Sequence, residues 1–234
     1  MPLLVRSWNL FHGNTHPPER SSHLREMVEL VVADQPDVIC LQEVPVWALP
    51  HLEGWSGYCS IPAVARQGLR PSVLAGWITR LHNGLLRSAI TGQANVVLVA
   101  RKHDARELGH IQISQGPIER RVCQAVRVTG IVVANLHTSS IDEDPQAQDD
   151  ASHAELERAR EFAERLADGA PVAIAGDLNL AGLGLEGYSE PGPGIDQVLV
   201  RGAPAGPLVV WPAERRVRNG RVLSDHAPVE VAIG

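Results

Sequence analysis

Short apolar runs separated by polar turns dominate the chain, and most of these runs have the length of β-strands. The runs between residues 106 and 137 are closely spaced and divided by turn signals, QGP at 115–117 and TG at 129–130, which predicts an antiparallel meander. In all, the pattern predicts strands at residues 3–11, 37–44, 94–101, 106–113, 121–128, 130–137, 171–176, 194–200, 207–211 and 228–233.

Two segments carry apolar residues three or four positions apart, the spacing of one helix face. They are Leu24, Met27, Val28 and Val31 in the first segment, and Leu156, Ala159, Phe162 and Leu166 in the second. The pattern therefore predicts helices at about 21–34 and 151–168, with a further helix near 71–88. The acidic stretch at 142–150 is expected to be a loop.

The 234 residues are 44% hydrophobic, enough for a substantial core. No Ser-, Gly- or Pro-rich linker divides the chain, so we expect a single domain over residues 1–234. The net charge of −6 shows no overall excess of the basic groups that bind nucleic-acid phosphates, although a local basic patch is compatible with it.

Three cysteines are present, and the absence of a CxxC pair argues against a thiolate zinc site. Cys40 and Cys123 lie in apolar runs and are expected to be buried. The N-terminus lacks the pattern of a signal peptide, and no apolar stretch approaches the ~18 residues of a membrane span. These features predict a soluble, cytoplasmic protein without a membrane span.

Polar side chains that suit a divalent cation occur at several strand ends. Glu43 ends the apolar run VICLQ, where a carboxylate is costly to bury unless it is paired or binds a metal. A salt bridge to an arginine is the alternative. Oxygen ligands suit Mg²⁺, so Glu43 is the first predicted ligand, with Asn9 and Asp225 as supporters through direct contact or coordinated water.

AIAGDLNL at 173–180 places Asp177 and Asn179 two positions apart, on one face of an extended strand. Asp177 can orient or deprotonate an attacking water, and Asn179 can donate a hydrogen bond to a phosphate oxygen. An ordinary turn is the alternative, since both residue types favour turns. His137, at the end of another apolar run, can donate to the charge that develops on phosphorus.

His226 directly follows Asp225 in LSDHAPVEVAI. An imidazole that contacts a phosphate needs a fixed orientation, and a carboxylate on its other ring nitrogen supplies one. We therefore predict Asp196 as the orienting partner of His226; a polar histidine at a loop–strand junction is the alternative. His12 is the other histidine near enough to line the site. Arg120 and Arg121 are expected to form a solvated charge pair, although phosphate binding is open to them.

Taken together and in order, SWNLFHGN, VICLQEV, QANVVLVAR, VANLHTSS, AIAGDLNL, GIDQVLV and LSDHAPV resemble the motifs of the endonuclease/exonuclease/phosphatase family, the deoxyribonuclease I-like superfamily. The motifs extend from residue 7 to residue 229. The resemblance implies a four-layer α/β/β/α sandwich, two mixed β-sheets face to face with helices outside. Residues 61–93 match no substrate-recognition element of the family's branches.

The resemblance also assigns roles to these positions. It implies metal-site residues at Asn9 and Glu43, and in-line attack of water on phosphorus assisted by Mg²⁺ or Mn²⁺. The family's remaining site positions fall on His137, Asp177, Asn179, Asp196, Asp225 and His226.

The leading hypothesis is therefore a metal-dependent phosphoesterase that hydrolyses a phosphodiester, with nuclease action on DNA or RNA as the nearest specific activity. A basic face of Arg66, Arg70, Arg80, Arg87 and Arg101 beside the site would favour nucleic acid. An apolar pocket of Trp47, Trp55, Trp77 and Leu85 would favour a small or lipid-linked phosphoester. A catalytically inactive binding module on the same scaffold is the third hypothesis.

Overall fold

The computed structural model describes residues 2–66, 92–115, 120–141 and 144–234. The strands are β1 (Leu3–Asn9), β2 (Thr15–His16), β3 (Val38–Val44), β4 (Cys59–Arg66), β5 (Gln93–Val99), β6 (Ala105–Gln112), β7 (Val122–Val128), β8 (Ile131–His137), β9 (Val172–Asp177), β10 (Asp196–Arg201), β11 (Val209–Val210), β12 (Val217–Arg218), β13 (Arg221–Leu223) and β14 (Val229–Ile233). The α-helices of the described residues are α1 (Leu24–Val31), α2 (Leu52–Ser56) and α3 (Pro145–Ala167), and short 3₁₀ helices lie at Phe11–Gly13, Val46–His51 and Ala213–Arg216.

The long strands form two mixed sheets. The first sheet has the order β11-β14-β1-β3-β5-β4, and the second has the order β10-β9-β8-β7-β6. The three strands β6, β7 and β8 pair as the predicted antiparallel meander. The short strands β12, β13 and β2 form a separate small sheet beside them.

The two large sheets pack face to face through a layer of small apolar side chains. Val5, Val97, Val126, Val133 and Val198 are among the buried residues of this layer. Strands covered on both faces need apolar residues on both, which explains why their sequences are nearly continuous apolar runs rather than alternating ones.

The helices cover the outer faces of the two sheets. The apolar face of α1, which includes Met27 and Val31, packs on the first sheet. The apolar face of α3, which includes Leu156 and Phe162, packs on the second sheet. The predicted four-layer sandwich is therefore confirmed. None of the described helices combines the length and apolar character needed to cross a membrane.

Two predicted elements differ from the structure. Helix α3 begins at Pro145, so the predicted acidic loop at 142–150 is wrong over residues 145–150. Asp144 caps the helix by accepting hydrogen bonds from the backbone amides of Gln146 and Ala147, and a proline suits the first turn. The predicted strand at 207–211 is reduced to Val209–Val210. The predicted helix near 71–88 lies outside the described residues.

Candidate active site

Strand pairing brings most of the predicted site residues to one end of the sandwich. In the second sheet, Asp177 pairs with His137 of the parallel strand β8 on one side and with Asp196 of the antiparallel strand β10 on the other. In the first sheet, Asn9 lies beside Gln42, the residue before Glu43. The register of five strands therefore gathers these side chains without any long loop.

Asp177 is at the centre of the site and is almost fully buried. The Asn9 side-chain amide donates a 2.9 Å hydrogen bond to its Oδ2 and so links the two sheets. The same oxygen lies 3.4 Å from Nε2 of His137 and 3.7 Å from Nε2 of His226. Burial raises the pKa of Asp177, while the His226 charge and the Asn9 hydrogen bond oppose that rise.

The glycine before Asp177 permits this placement. A Cβ atom on Gly176 would lie 1.9 Å from the backbone oxygen of Leu136 on the neighbouring strand. Any side chain there would force β8 and β9 apart, since real contacts to Cβ do not come that close. Gly176 therefore helps to keep His137 beside Asp177.

Asn179 reaches the site by a different route from the predicted one. Strand β9 ends at Asp177, and Asn179 has a positive φ of 49°, so the two residues do not share one face of an extended strand. Instead, the Asn179 backbone amide donates to Oδ1 of Asp177, and its side chain donates to the Thr138 carbonyl. A turn of the Asx type thus positions both side chains, which agrees with the alternative interpretation of this motif as a turn.

His226 lies between carboxylates. Its Nδ1 donates a 2.9 Å hydrogen bond to Oδ2 of Asp196, as predicted, and its Nε2 is directed towards Asp177. Burial opposes its charged form, but the hydrogen bond and charge of Asp196, with Asp177 and Asp225, raise the pKa of His226 to about 9. Burial also raises the pKa of Asp196, against the pull of His226. We conclude that the imidazolium–carboxylate pair is present at neutral pH, because several carboxylates surround one imidazole.

Three residues, Trp8, Arg216 and Ser224, hold the loop that carries Asp225 and His226. The buried guanidinium of Arg216 donates to the carbonyls of Leu223, Ser224 and His226. The Trp8 indole donates to the His226 carbonyl as well. The Ser224 hydroxyl donates to the Asn9 carbonyl and accepts from the His226 amide. The sequence analysis did not single out Trp8 or Arg216, because both donate to backbone carbonyls, which no pattern of side chains marks.

Glu43 is turned into the site by an irregularity in β3. The pairing of β3 with β5 shifts register between Leu41 and Val44, and Glu43 has a positive φ of 55°. Such bulges re-aim a side chain next to active sites. The Glu43 side chain is 19% exposed, and its Oε2 lies 3.5 Å from Nε2 of His12. Burial raises the pKa of Glu43, and the charge of Asp225 adds to that rise while Arg121 and His226 oppose it.

The acidic groups of the site fit a divalent cation. The charge of Asp225 raises the pKa of Glu43, and a cation between the carboxylates relieves that repulsion. The Asn9 side-chain oxygen accepts from the Phe11 backbone amide and retains a second lone pair. These are hard oxygen donors of the kind that Mg²⁺ and Mn²⁺ take. Asp177, Asp196 and His226 also place ligand atoms within 4.8 Å of one another, but the bond between His226 and Asp196 accounts for that cluster.

Backbone strain is concentrated at the same end of the molecule. Five non-glycine residues of the site region have positive φ, a conformation that L-residues rarely adopt. They are Phe11, His12, Glu43, Asn179 and Ser224. Strained backbone of this kind clusters at functional sites, where the surrounding structure holds it in place.

Arg121 corrects one prediction of the sequence analysis. It is not half of a solvated pair: its side chain is buried, and one guanidinium nitrogen lies 2.8 Å from Nδ1 of His137 and 3.1 Å from Nε2. Arg120 is exposed, as expected. Burial and the charges of Arg121 and His226 hold the pKa of His137 well below its ordinary value.

The neutral ring of His137 has one N–H and one lone pair. The Gln93 side-chain amide lies 3.2 Å from Nδ1, on the same side as the shorter Arg121 contact. With two donors directed at Nδ1, we assign the proton to Nε2, which is directed towards Asp177. The two histidines around Asp177 therefore have different charges.

Below the site, a polar pair crosses the apolar interior. The Gln42 side chain donates to Oδ1 of Asn135, and the Asn135 amide donates back to the carbonyls of Leu41 and Val96. All of these groups are buried, so the bonds fix how the two sheets sit relative to each other directly under Glu43 and His137.

The arginines and tryptophans that would distinguish the substrates are described only in part, and those that are described lie away from the site. Arg101 follows the opposite end of β5, where it pairs with Glu53 and donates to the Gly57 carbonyl. Trp47 and Trp55 pack edge to face with each other against the outer apolar layer. These three residues therefore form neither the basic face that would favour nucleic acid nor the apolar pocket that would favour a small or lipid-linked phosphoester. The Arg66 side chain and residues 70, 77, 80, 85 and 87 lie outside the described part.

Two mixed sheets face to face, with carboxylates, amides and imidazoles gathered at one end, define a class of protein that is known from other structures. A functionally unknown conserved protein from Enterococcus faecalis is 15% identical, with a TM-score of 0.71 over 99% of both chains. An endonuclease/exonuclease/phosphatase from Beutenbergia cavernae is 17% identical, with a TM-score of 0.69 over 100% of this chain and 72% of that one. TDP2 from Caenorhabditis elegans is 16% identical, with a TM-score of 0.67 over 100% and 74%.

At these identities, the structural matches show the fold alone. The sequence itself matches the Endonuclease/Exonuclease/phosphatase family over residues 7–226. No curated protein sequence matches the chain significantly. The chain belongs to the endonuclease/exonuclease/phosphatase family, as the motifs indicated.

Proposed function

We propose that this protein is a divalent-metal-dependent hydrolase that cleaves a phosphodiester by direct attack of water on phosphorus. The observation that carries the proposal is the setting of Asp177. One buried carboxylate is contacted by an amide and two imidazoles at the meeting point of both sheets.

Asp177 suits the role of the group that orients and deprotonates water. Its Oδ1 is held by the Asn179 amide, so the carboxylate has one orientation. Its raised pKa makes it a better base than an exposed aspartate at the same pH. The bond from Asn9 fixes the second oxygen and keeps the carboxylate aligned across the sheets.

The two histidines suit complementary tasks. The protonated His226, held by Asp196, can donate from Nε2 to a phosphoryl oxygen and offset its negative charge. The neutral His137 can donate from Nε2 to another phosphoryl oxygen without adding charge. Arg121 behind it contributes a fixed positive charge at hydrogen-bond distance from the ring.

Glu43, with Asp225 and Asn9, would hold Mg²⁺ or Mn²⁺. When bound, such a cation polarises a phosphoryl oxygen and neutralises charge that develops during attack. The strained backbone at Glu43 supports this role, because a bulge that points a carboxylate at Asp225 is otherwise unfavourable.

The substrate is open between two classes. Nucleic acid was the expectation from the family's motifs, and Arg121 supplies one buried cation at the site. A small-molecule or lipid-linked phosphoester is the second candidate. It is favoured by the net charge of −6 and by the position of Arg101 at the far end of β5.

The deciding experiment is hydrolysis of bis(p-nitrophenyl) phosphate and of a plasmid that carries some abasic sites, each with Mg²⁺, Mn²⁺ or chelator. Glu43→Gln is the blank, and Glu53→Gln is the matched control, because Glu53 pairs with Arg101 far from the site. Metal-dependent nicking of the plasmid would support nuclease action. Cleavage of the small diester alone would support the second class.

No turnover of either substrate, with metal still bound and the fold intact, would contradict hydrolysis of these phosphodiesters. That result would leave a phosphatase of narrow specificity, or the third hypothesis, a catalytically inactive binding module. Activity that survives in Glu43→Gln would contradict the assignment of the metal site but not the family.

A further inference from the structure

We propose that a cavity beside His226 is a substrate subsite that binds an apolar aryl or alkyl group attached to the phosphorus. The inference rests on the proposed function and names the chemical class of its substrate. The cavity occupies about 310 Å³ and is lined by Ile195, Leu208, Val210 and Val229 together with Asp225 and His226. We call it the His226 cavity.

The cavity lies where the apolar interior of the sandwich opens to the side. Strand β11 is the edge of the first sheet, and β10 is the edge of the second. Val210 is the direct cross-strand partner of Val229, so both side chains point to the same face. Val229 is buried between the sheets, whereas Val210 is 49% exposed. The apolar wall therefore continues from the core to the surface beside His226.

Val209, the other residue of β11, does not line the cavity and so provides a control for Val210. Val209 is 48% exposed, almost the same as Val210, but its partner is Glu230, which is on the outer face of the sheet. Successive strand residues point to opposite faces. Val210 thus contacts the cavity and Val209 does not, although the two residues match in type, strand and exposure.

Beyond His226, the described lining of the cavity offers no cation to a second phosphate, and the proposed function assigns His226 to the phosphoryl group at the site. Asp225 lines it with a carboxylate that is 34% exposed. The nearby Arg216 directs its guanidinium to backbone carbonyls, including that of His226, and is buried. Among the described residues that line the cavity, none is a lysine or an arginine. An uncharged apolar group needs no such partner, so it suits the cavity better than a polyanionic chain does.

The position and the volume of the His226 cavity indicate which part of a substrate it would bind. His226 and Asp225 belong both to the proposed phosphate site and to the cavity wall, so a group bonded to the same phosphorus can enter the cavity. A volume of about 310 Å³ is at the lower end for ligand pockets, which suits one ring or a short alkyl group. Burying such a group against Leu208 and Val210 removes apolar surface from water on both sides.

The test uses two inert probes, phenylphosphonate and methylphosphonate, with the whole chain in the presence of Mg²⁺. Their inhibition of bis(p-nitrophenyl) phosphate hydrolysis is compared in the wild type, in Val210→Ser and in Val209→Ser. We expect tighter binding of phenylphosphonate in the wild type. We expect Val210→Ser to reduce that preference by about fivefold, from the lost apolar contact, and Val209→Ser to leave it unchanged.

Methyl-group NMR of the isoleucine, leucine and valine residues provides a readout that needs no turnover. Ring-current shifts at the methyl groups of Val210, Leu208 and Ile195 on adding phenylphosphonate would support the subsite. If hydrolysis fails while these shifts appear, the proposed function is wrong and the subsite remains. If hydrolysis proceeds but both probes bind equally, or both serine variants behave alike, the subsite is wrong and the function remains.

Discussion

Asp177 and Asp196 are direct cross-strand partners on β9 and β10, yet His226, from the loop between β13 and β14, lies between their carboxylates. Nδ1 of His226 is 2.9 Å from Asp196, and its Nε2 is 3.7 Å from Asp177. Two like charges directly opposite each other would destabilise the pair of strands. The imidazolium offsets that repulsion, and the same arrangement aims Nε2 at the place where a phosphate would meet Asp177.

Asp196→Asn should therefore change the pH dependence of hydrolysis. In the wild type, the charged His226 is present below its raised pKa of about 9 and is lost as the pH rises through that value. Without the Asp196 charge the pKa of His226 falls, so activity should decline at a lower pH, with near-normal metal binding. A pH–rate profile checks the shift, and a profile identical to the wild type would count against the orienting role.

Asp177→Asn should retain the fold and lose most of the turnover. The amide keeps the hydrogen bond from Asn179 but cannot take a proton from water. Loss of a positioned base typically costs ~10²–10⁴-fold in rate. Asp168→Asn is the matched control, because Asp168 ends α3 in the left-handed conformation, which asparagine also adopts. Steady-state kinetics on the small diester decide, and full activity of Asp177→Asn would refute the assignment.

Glu43→Gln should abolish activity and weaken Mg²⁺ binding. The substitution preserves the shape of the side chain but removes its charge beside Asp225. Loss of a residue that only hydrogen-bonds to a metal ligand lowers metal affinity by about 10- to 100-fold. We expect at least that loss for a residue that binds the metal directly. Titration calorimetry measures it. An unchanged Mg²⁺ titration would show that Glu43 is not a ligand.

Arg121→Met should raise the pKa of His137 towards its ordinary value, because the substitution removes a buried positive charge at 2.8 Å from the ring. Burial still lowers the pKa of His137 in the variant, so we expect a rise that is partial, together with weaker phosphonate binding. Nitrogen NMR of the imidazole follows the titration. Arg120→Met is the control, since Arg120 is exposed. Equal effects of the two substitutions would contradict a special role for Arg121.

Asp34→Asn tests an ion pair that lies away from the site. Hydrogen bonds from Arg6 lower the pKa of Asp34 to about 2, from 3.8. A lowered folded-state pKa contributes stability that is present above pH 3.8 and is lost as the pH falls towards 2. The variant should melt at a lower temperature than the wild type at pH 7, with a difference that shrinks below pH 4. The Asp34 side chain is 41% exposed, so solvent screening keeps the effect modest.

Local patterns in the sequence were sufficient for much of the fold. The apolar runs located the long strands of the described segments, because strands buried on both faces need such runs. They failed at Pro145, where polar residues disguise the first turns of α3. They also failed at residues 207–211, where only Val209 and Val210 pair with β14.

For the candidate site, the sequence predicted which side chains lie at strand ends but not how they meet. Asp196 was assigned to His226 from residue type and position, and the 2.9 Å contact agrees. The prediction for Arg121 was wrong because two adjacent arginines in a sequence usually indicate a solvent-exposed segment, whereas Arg121 is buried. Its burial depends on β7 lying beside β8, which places it next to His137.

The sequence by itself determined the family and which polar side chains lie near strand ends, because those carboxylates, amides and imidazoles follow apolar runs. Only the tertiary structure decided their charges and directions. The bulge at Glu43 and the turn at Asn179 set two of these directions, and the hydrogen bond from Asn9 to Asp177 joins the two sheets. The pKa of each group then follows from burial and from neighbours distant in sequence, which no local pattern of residues contains.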